Sequence, residues 1–163
     1  MVSLRPIVPA DRERMLDILT SEAVNKTYML PDYERREDAD PLFRRLMEMS
    51  ADNGKYVRAI AVEGSAVGYL NHTEIQGSVI ELGYVIHPDF RGRGYMTAAL
   101  RLAIEELFHM GYREVMAGAF EDNTASIRVM QKCGMRKLGK TDEIEYRGKV
   151  HNCVYYSRKI QEN

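Results

Sequence analysis

One stretch of the sequence constrains the possible folds more than any other, because it joins a strand, a turn and a helix in immediate succession. Residues 79–86 have the apolar character of a strand, and glycines at 92 and 94 form a turn behind it. An amphipathic helix is predicted from about 94 to 110, followed by a further strand at 113–120. Two such strands become parallel neighbours joined by a right-handed crossover, so the sequence predicts an α/β fold.

The rest of the chain supplies the other elements of a mixed sheet. The residue patterns predict strands at 3–8, 56–62, 66–73, 141–146 and 150–159, and helices from 9, from 42 to 53 and from 123 to 134. The segment 20–40 is irregular and rich in mixed charge, which is typical of a loop with short helices. Turns at 63–65 and 76–78 make 56–86 an antiparallel meander. We expect one domain over residues 1–163, with a mostly antiparallel sheet of about seven strands and about four flanking helices.

Composition narrows the classes of function. The chain has 23 Lys and Arg against 24 Asp and Glu, a formal net charge of -1. Binding to nucleic-acid phosphates needs a concentrated excess of Lys and Arg, so this balance argues against a nucleic-acid partner. Cys133 and Cys153 stand in no metal-binding spacing, and the four histidines are scattered. We therefore expect free thiols in a reducing compartment and no metal.

The sequence also shows no feature that would place the chain in a membrane. Its first residues lack the apolar stretch of a signal peptide, and no run approaches the ~18 apolar residues of a membrane span. We expect a cytoplasmic protein without a membrane partner. The sequence leaves a monomer and a homodimer equally open.

The turn between strand and helix has the chemistry of an anion site. Gly92 and Gly94 allow backbone N–H groups to point into the turn, and the following helix adds a positive dipole. Arg91 and Arg93 add formal charge, so a pyrophosphate is the natural ligand. The glycines alone would suit a purely structural turn equally well. Thr97 does not fit the dinucleotide fingerprint, and the Gly-Lys-Ser/Thr of a nucleotide P-loop is absent.

Several motifs in register resemble the GNAT superfamily of N-acetyltransferases. The run Arg91-Gly92-Arg93-Gly94-Tyr95-Met96 is similar to the acetyl-CoA signature Q/R-x-x-G-x-G/A of that family. The stretch 81–88, and the later run from Asn123-x-x-Ser126 to 132–135, resemble its second conserved block. Together they resemble the branch that acetylates the N-termini of ribosomal proteins, and the likeness covers nearly the whole chain. Met96 departs from the signature, whose last position is normally Gly or Ala, and we expect its side chain to pack inward.

The resemblance implies how acetyl-CoA is bound as co-substrate, without a metal. The sheet is expected to splay after its fourth strand, where the pantetheine arm would pair with the backbone of Val85 and Ile86. A backbone N–H near these residues would polarise the acetyl carbonyl. The residues implied in holding the rest of the cofactor are Arg91, Gly92, Arg93, Gly94, Tyr95, Met96, Thr97, Asn123 and Ser126.

Acetyl transfer to an amine needs a base, because most alkylamines are protonated at neutral pH. Glu81, in the strand that leads to the cofactor, and Glu145, in the penultimate strand, are the two candidates, and a water chain or neither group is the alternative. The resemblance places Ser126 near the departing thiol, although an N-cap by Asn123 would explain both residues structurally. Many relatives carry a tyrosine acid seven residues after that asparagine, where this chain has Met130.

The acceptor is defined only by charge. Residues 21–40 and 141–156 are expected to wall its site, and their acidic side chains suit a cationic amine, either a protein N-terminus or a small molecule. The competing hypothesis is a catalytically idle acyl-CoA-binding sensor or scaffold, which would use the same turn but neither carboxylate. An RNA-binding domain would need a clustered basic face with stacking aromatics, and the sequence shows neither clearly.

Overall fold

The computed structural model describes residues 1–161 and contains seven strands and five α-helices. The strands are β1 (Val2–Arg5), β2 (Val57–Val62), β3 (Ser65–Gln76), β4 (Val79–Ile86), β5 (Glu114–Phe120), β6 (Arg136–Tyr146) and β7 (Lys149–Lys159). The helices are α1 (Arg12–Leu19), α2 (Glu22–Asn25), α3 (Asp40–Ser50), α4 (Tyr95–His109) and α5 (Thr124–Lys132). Short 3-10 segments cover Pro9–Asp11, Arg36–Ala39 and Pro88–Phe90.

The strands follow the order β1-β2-β3-β4-β5-β7-β6 in one mixed sheet, which confirms the predicted α/β class. The predicted crossover is present, because β4 and β5 run parallel with Val79 opposite Glu114 and Leu82 opposite Ala117. This ladder covers the first half of β4 only. All other recorded pairings are antiparallel, and β7 lies between β5 and β6.

Two compact units make up the chain. The first contains Met1–His72 and Tyr84–Ala99. Its core is built by the apolar faces of α1 and α3 with the inner side of the β2–β3 hairpin, and it includes Met15, Leu16, Ile18, Leu19, Phe43, Ala59 and Tyr69. Near the start of this unit, the Arg5 guanidinium donates two 2.8 Å hydrogen bonds to the buried Asp11 carboxylate. Burial opposes the charged form, but Arg5 and the Val8 amide hold the pKa of Asp11 below its ordinary value.

The second unit contains Thr73–Gly83 and the described residues from Leu100 onward. Helix α4 buries Leu100, Ala103, Ile104 and Leu107 at the predicted helical spacing. Strand β6 is not regular. It pairs Lys137 with Tyr156 and then Thr141 with Val154, so three residues of β6, 138–140, stand opposite one residue of β7.

Most element types were predicted, and the differences have physical causes. The first strand ends at Arg5 rather than at residue 8, and β3 continues past Thr73 to Gln76. The sixth strand was expected from 141 but begins at Arg136, because the irregular segment 138–140 breaks the alternation that marks a strand. The structure has one α-helix more than the four that were expected. The additional helix is α2, which has only 4 residues and lies in the segment 20–40, where short helices were expected. Over residues 1–161 no helix has the length and apolar character needed to cross a membrane.

Gly68 fixes the path of β4 in the first unit. A Cβ at this position would overlap the carbonyl oxygen of Val85 and would lie 2.9 Å from the Cα of Ile86. Both obstacles are backbone atoms, which cannot rotate away as a side chain can. The absence of a side chain at Gly68 therefore lets β3 and the end of β4 approach closely.

Replacement of Gly68 by Ala should displace β4 at Val85 and Ile86. We expect a loss of about 1–3 kcal/mol in the free energy of unfolding, the usual cost of inserting an atom into a packed region. Urea denaturation followed by circular dichroism measures it. Gly139→Ala is the matched control, because a Cβ there meets no atom within 4 Å, and its midpoint should change little. Equal midpoints for the two variants would contradict the assigned role of Gly68.

Candidate active site

The turn that precedes α4 has a backbone that only glycine adopts easily. Gly92 has a φ of 74° and Gly94 a φ of 77°. A Cβ at either position would meet no atom within 4 Å, so the need for glycine comes from backbone conformation and not from lack of space. The chain then enters the 15-residue helix α4 at Tyr95, whose first turn has N–H groups without helical partners. Glycine conformation and helix dipole together suit an anion here.

Arginines surround the turn in the same unit. Arg91 and Arg93 are exposed, and the Arg93 guanidinium lies 5.5 Å from the centroid of the Phe90 ring. Arg14 of α1 lies 4.7 Å from the same centroid. Arg91 also reaches the Ala23 carbonyl at 3.5 Å. Positive charge is thus concentrated at the turn in a chain whose net charge is close to zero.

The other residues expected at the cofactor differ in burial. Met96 is buried, which confirms that its side chain packs inward. Tyr95 and Thr97 are half-buried at the start of α4. Val85 is buried and Ile86 is half-buried at the end of β4. Contact of any of them with acetyl-CoA stays a prediction.

In the second unit, one face of the sheet collects titratable groups. Strand register puts Glu81 beside Met116, Gly118 beside Tyr155, and Phe120 beside Cys153, which in turn is paired with Asp142. Paired residues point to the same side of a sheet, and alternate residues of a strand share a side. We call this side, defined by Glu81, Phe120, Asp142, Cys153 and Tyr155, the Glu81 face.

Glu81 is half-buried and held in place. Its Oε2 accepts a 2.6 Å hydrogen bond from the Thr73 hydroxyl, and that hydroxyl also lies 3.3 Å from the Glu81 carbonyl oxygen. A carboxylate fixed in this way keeps free lone pairs for a further proton donor. The role of Glu81 as the base stays a prediction.

Tyr155 and Asp142 form the second polar feature of the Glu81 face, and sequence reasoning did not find this pair. The Tyr155 hydroxyl donates a 2.7 Å hydrogen bond to Asp142 Oδ2. Burial, this hydrogen bond and, more weakly, the charge of Glu81 raise the pKa of Tyr155 well above its ordinary value. Burial and the charges of Asp142 and Glu81 also raise the pKa of the Cys153 thiol. Both groups therefore stay protonated near neutral pH.

Alternation along the last strand predicts from the sequence that one of its two adjacent tyrosines lies in the core and that the other lines the acceptor site. Both Tyr155 and Tyr156 are buried, on opposite sides of β7, so exposure does not distinguish them. The Tyr155 ring lies against Gly118, where a Cβ would come within 2.8 Å of a ring carbon. Cys133 and Cys153 are free and buried.

Glu145 is placed differently from Glu81. It is exposed, and it points away from its neighbours Ile144 and Tyr146, which pack with Phe120 on the Glu81 face. The structure therefore does not bring the two candidate bases to one face. Glu143 shares the side of Glu145, whereas Asp142 shares the side of Glu81.

Asn123 and Ser126 act together at the start of α5. The Asn123 side chain accepts a 3.2 Å hydrogen bond from the Ser126 amide, so the predicted N-cap is confirmed. The Ser126 side chain is half-buried, and its role at a thiol stays a prediction. Met130, which stands where many relatives carry a tyrosine acid, is fully buried.

A pocket of about 370 Å³ opens in the second unit beside the irregular part of β6. Three carboxylates, Glu121, Asp142 and Glu143, line it together with Lys137. Over residues 1–161, no three His, Cys, Asp or Glu side chains are grouped so that they could hold a metal ion.

Comparison with known proteins gives one family. Residues 2–136 match the model of the acetyltransferase (GNAT) domain. The "Putative ribosomal N-acetyltransferase YdaF" of Bacillus subtilis is 28% identical over 167 residues, which cover 96% of this chain and 90% of that protein.

Solved structures share the fold at low identity. The ribosomal L7/L12 α-N-protein acetyltransferase RimL, in complex with coenzyme A, has a TM-score of 0.85 at 20% identity and covers 98% of this chain and 94% of its own. Spermidine N-acetyltransferase from Vibrio cholerae, in complex with coenzyme A and spermine, has a TM-score of 0.81 at 15% identity. The alignment covers 97% of this chain and 95% of the Vibrio cholerae chain. The fold, the glycine turn before α4 and the family match agree with the motifs of the sequence, and the chain belongs to the GNAT acetyltransferase family.

Proposed function

We propose that this acetyltransferase moves the acetyl group of acetyl-CoA directly to a primary amine. The observation that carries the proposal is the turn with positive φ at Gly92 and Gly94, placed directly before α4 in a chain of the GNAT family. When bound, acetyl-CoA supplies an activated acyl group as its thioester. Coenzyme A in the complexes of RimL and of spermidine N-acetyltransferase supports the same co-substrate here.

The phosphates are assigned to the turn of the first unit. Backbone N–H groups of 92–97 would donate to pyrophosphate oxygens, and Arg91 and Arg93 would neutralise their charge. The backbone of Val85 and Ile86 would hold the pantetheine arm. Gly68 supports this role because it sets the path of β4 at these two residues.

Glu81 is the base that the contacts favour. It is half-buried, is oriented by Thr73 and lies on the face that also carries Asp142 and Tyr155. Glu145 is exposed on the other side of β6. In this mechanism Glu81 takes a proton from the acceptor ammonium, directly or through water, so that the amine becomes a nucleophile. A proton from Ser126 or solvent would reach the departing thiolate.

The acceptor is proposed to be a cationic amine, either a protein N-terminus or a small molecule. Glu81 and Asp142 give the Glu81 face two carboxylates, which would attract a cation. The related structures include both acceptor types, a ribosomal protein for RimL and spermidine for the Vibrio cholerae enzyme. We further propose that the chain works as a single cytoplasmic domain.

The glycine turn can be tested by the affinity for coenzyme A. Gly94→Ala forces a non-glycine residue into the left-handed region, which costs about 1–2 kcal/mol. We expect the dissociation constant of coenzyme A, measured by calorimetry, to rise about tenfold. Gly77→Ala is the matched control, because Gly77 also has a positive φ, 61°, but lies in the β3–β4 turn. It should lose similar stability and keep its affinity, and equal affinities in both variants would contradict the assignment.

The base can be tested by turnover. Glu81→Gln keeps the shape of the side chain and its hydrogen bond with Thr73, but it cannot take a proton. We expect kcat/KM for an amine acceptor to fall about 100-fold, within the usual range for loss of a general base, with unchanged coenzyme A affinity. Glu145→Gln is the control and should change kcat/KM less than twofold. A larger loss in Glu145→Gln would move the role to that residue. Wild-type protein that binds coenzyme A but acetylates no amine would instead be an idle acyl-CoA-binding module.

A further inference from the structure

Lys140 brings an amine of the protein itself to the Glu81 face. It is the last of the three β6 residues that stand opposite Tyr155, and its Nζ lies 4.5 Å from the centroid of the Tyr155 ring. An ammonium group at this distance from an aromatic face is attracted by the ring quadrupole. The irregular register of β6 thus turns a surface lysine toward the residues proposed to receive the acceptor.

The surroundings of Tyr155 suit a primary ammonium. The Tyr155 hydroxyl is bound to the Asp142 carboxylate, and the strand register places the Glu81 carboxylate on the same face of the sheet. Gly118 lets the ring lie close to β5, and the ring hydroxyl is fixed by its hydrogen bond to Asp142. Lys140 is chemically equivalent to an external alkylamine, and its attachment to the chain gives it a high effective concentration.

We propose that Lys140 is a self-acetylation site of this enzyme. The inference rests on the proposed function and on Glu81 as base. Glu81 takes one proton from the Lys140 ammonium, and the free Nζ attacks the thioester carbonyl of acetyl-CoA. An N–C bond forms and the C–S bond breaks. A second nitrogen proton ends on the coenzyme A thiolate, and Glu81 passes its proton to solvent. The products are an amide at Lys140, coenzyme A and one proton.

Acetylation would change the face that it occupies. The amide has no charge, so the attraction to the Tyr155 ring and to the nearby carboxylates is lost. The modified chain would present Tyr155, Asp142 and Glu81 to an external cation without competition from Lys140. Self-acetylation would therefore lower the KM for a cationic acceptor more than it changes kcat.

The test is incubation of the full chain with isotope-labelled acetyl-CoA and no acceptor, followed by intact mass measurement and peptide mapping. We expect one label per chain, located at Lys140, with a first-order rate that does not depend on protein concentration. Lys140→Arg keeps the positive charge and should lose this label. Lys149→Arg, at an exposed lysine of the same hairpin, should keep it. Glu81→Gln should slow labelling about 100-fold, as expected for loss of the base.

Thiol release with an external amine separates this proposal from the proposed function. A wild-type chain that acetylates external amines but carries no label at Lys140 would overturn self-acetylation alone. Label at Lys140 no greater than at Lys149, or unchanged in Glu81→Gln, would also overturn it, because this is the pattern of chemical acetylation without the enzyme. Failure to bind coenzyme A and to acetylate any amine would overturn both proposals.

Discussion

The register of β7 between β5 and β6 is the constraint on which the candidate site depends. This strand sets Tyr155 against Gly118 and Cys153 against Asp142, so it decides which side chains meet. Because side chains alternate along a strand, a slip of one residue would send Tyr155 to the other side of the sheet. Burial of β7 on both sides, through Val154 and Tyr156 as well as Cys153 and Tyr155, makes such a slip costly. Stability and site geometry therefore rest on the same pairing.

Local signals were enough for most of the fold. The glycine turn, the amphipathic stripe of α4 and the β-α-β order depend on residues that are close in sequence, and the parallel pairing of β4 with β5 follows from them. Asn123 as N-cap and the burial of Met96 also follow from helical geometry. The first strand and the start of β6 were misplaced because short or irregular strands lack a clear alternation.

The Tyr155–Asp142 pair could not be read from the sequence for a more specific reason. Asp142, Glu143 and Glu145 form one acidic group in the linear chain. The irregular segment of β6 decides which of them face the side of Glu81, and after it Asp142 faces that side while Glu143 and Glu145 face away. The register of a bulge depends on packing with β7, which is not visible in local residue patterns. The sequence signal for this choice is the alternation of side chains along β6, compared in two registers. One register puts Asp142 on the side of Glu81, and the other puts Glu143 and Glu145 there.

The same irregularity has a consequence for self-association. Strand β6 lies at the edge of the sheet, where unpaired N–H and C=O groups would let a second chain add to the sheet. Such an addition requires a straight backbone, and β6 is interrupted where residues 138–140 stand opposite the single residue Tyr155. Lys137 and Lys140, on either side of Gly139, add charge to this part of the edge. The irregular segment 138–140 therefore opposes aggregation through this edge, and it also places Lys140 beside the Tyr155 ring. A deletion of two of the residues 138–140, which would leave one residue opposite Tyr155, would be expected to lengthen this unpaired edge and to favour fibrous or sheet-like assemblies.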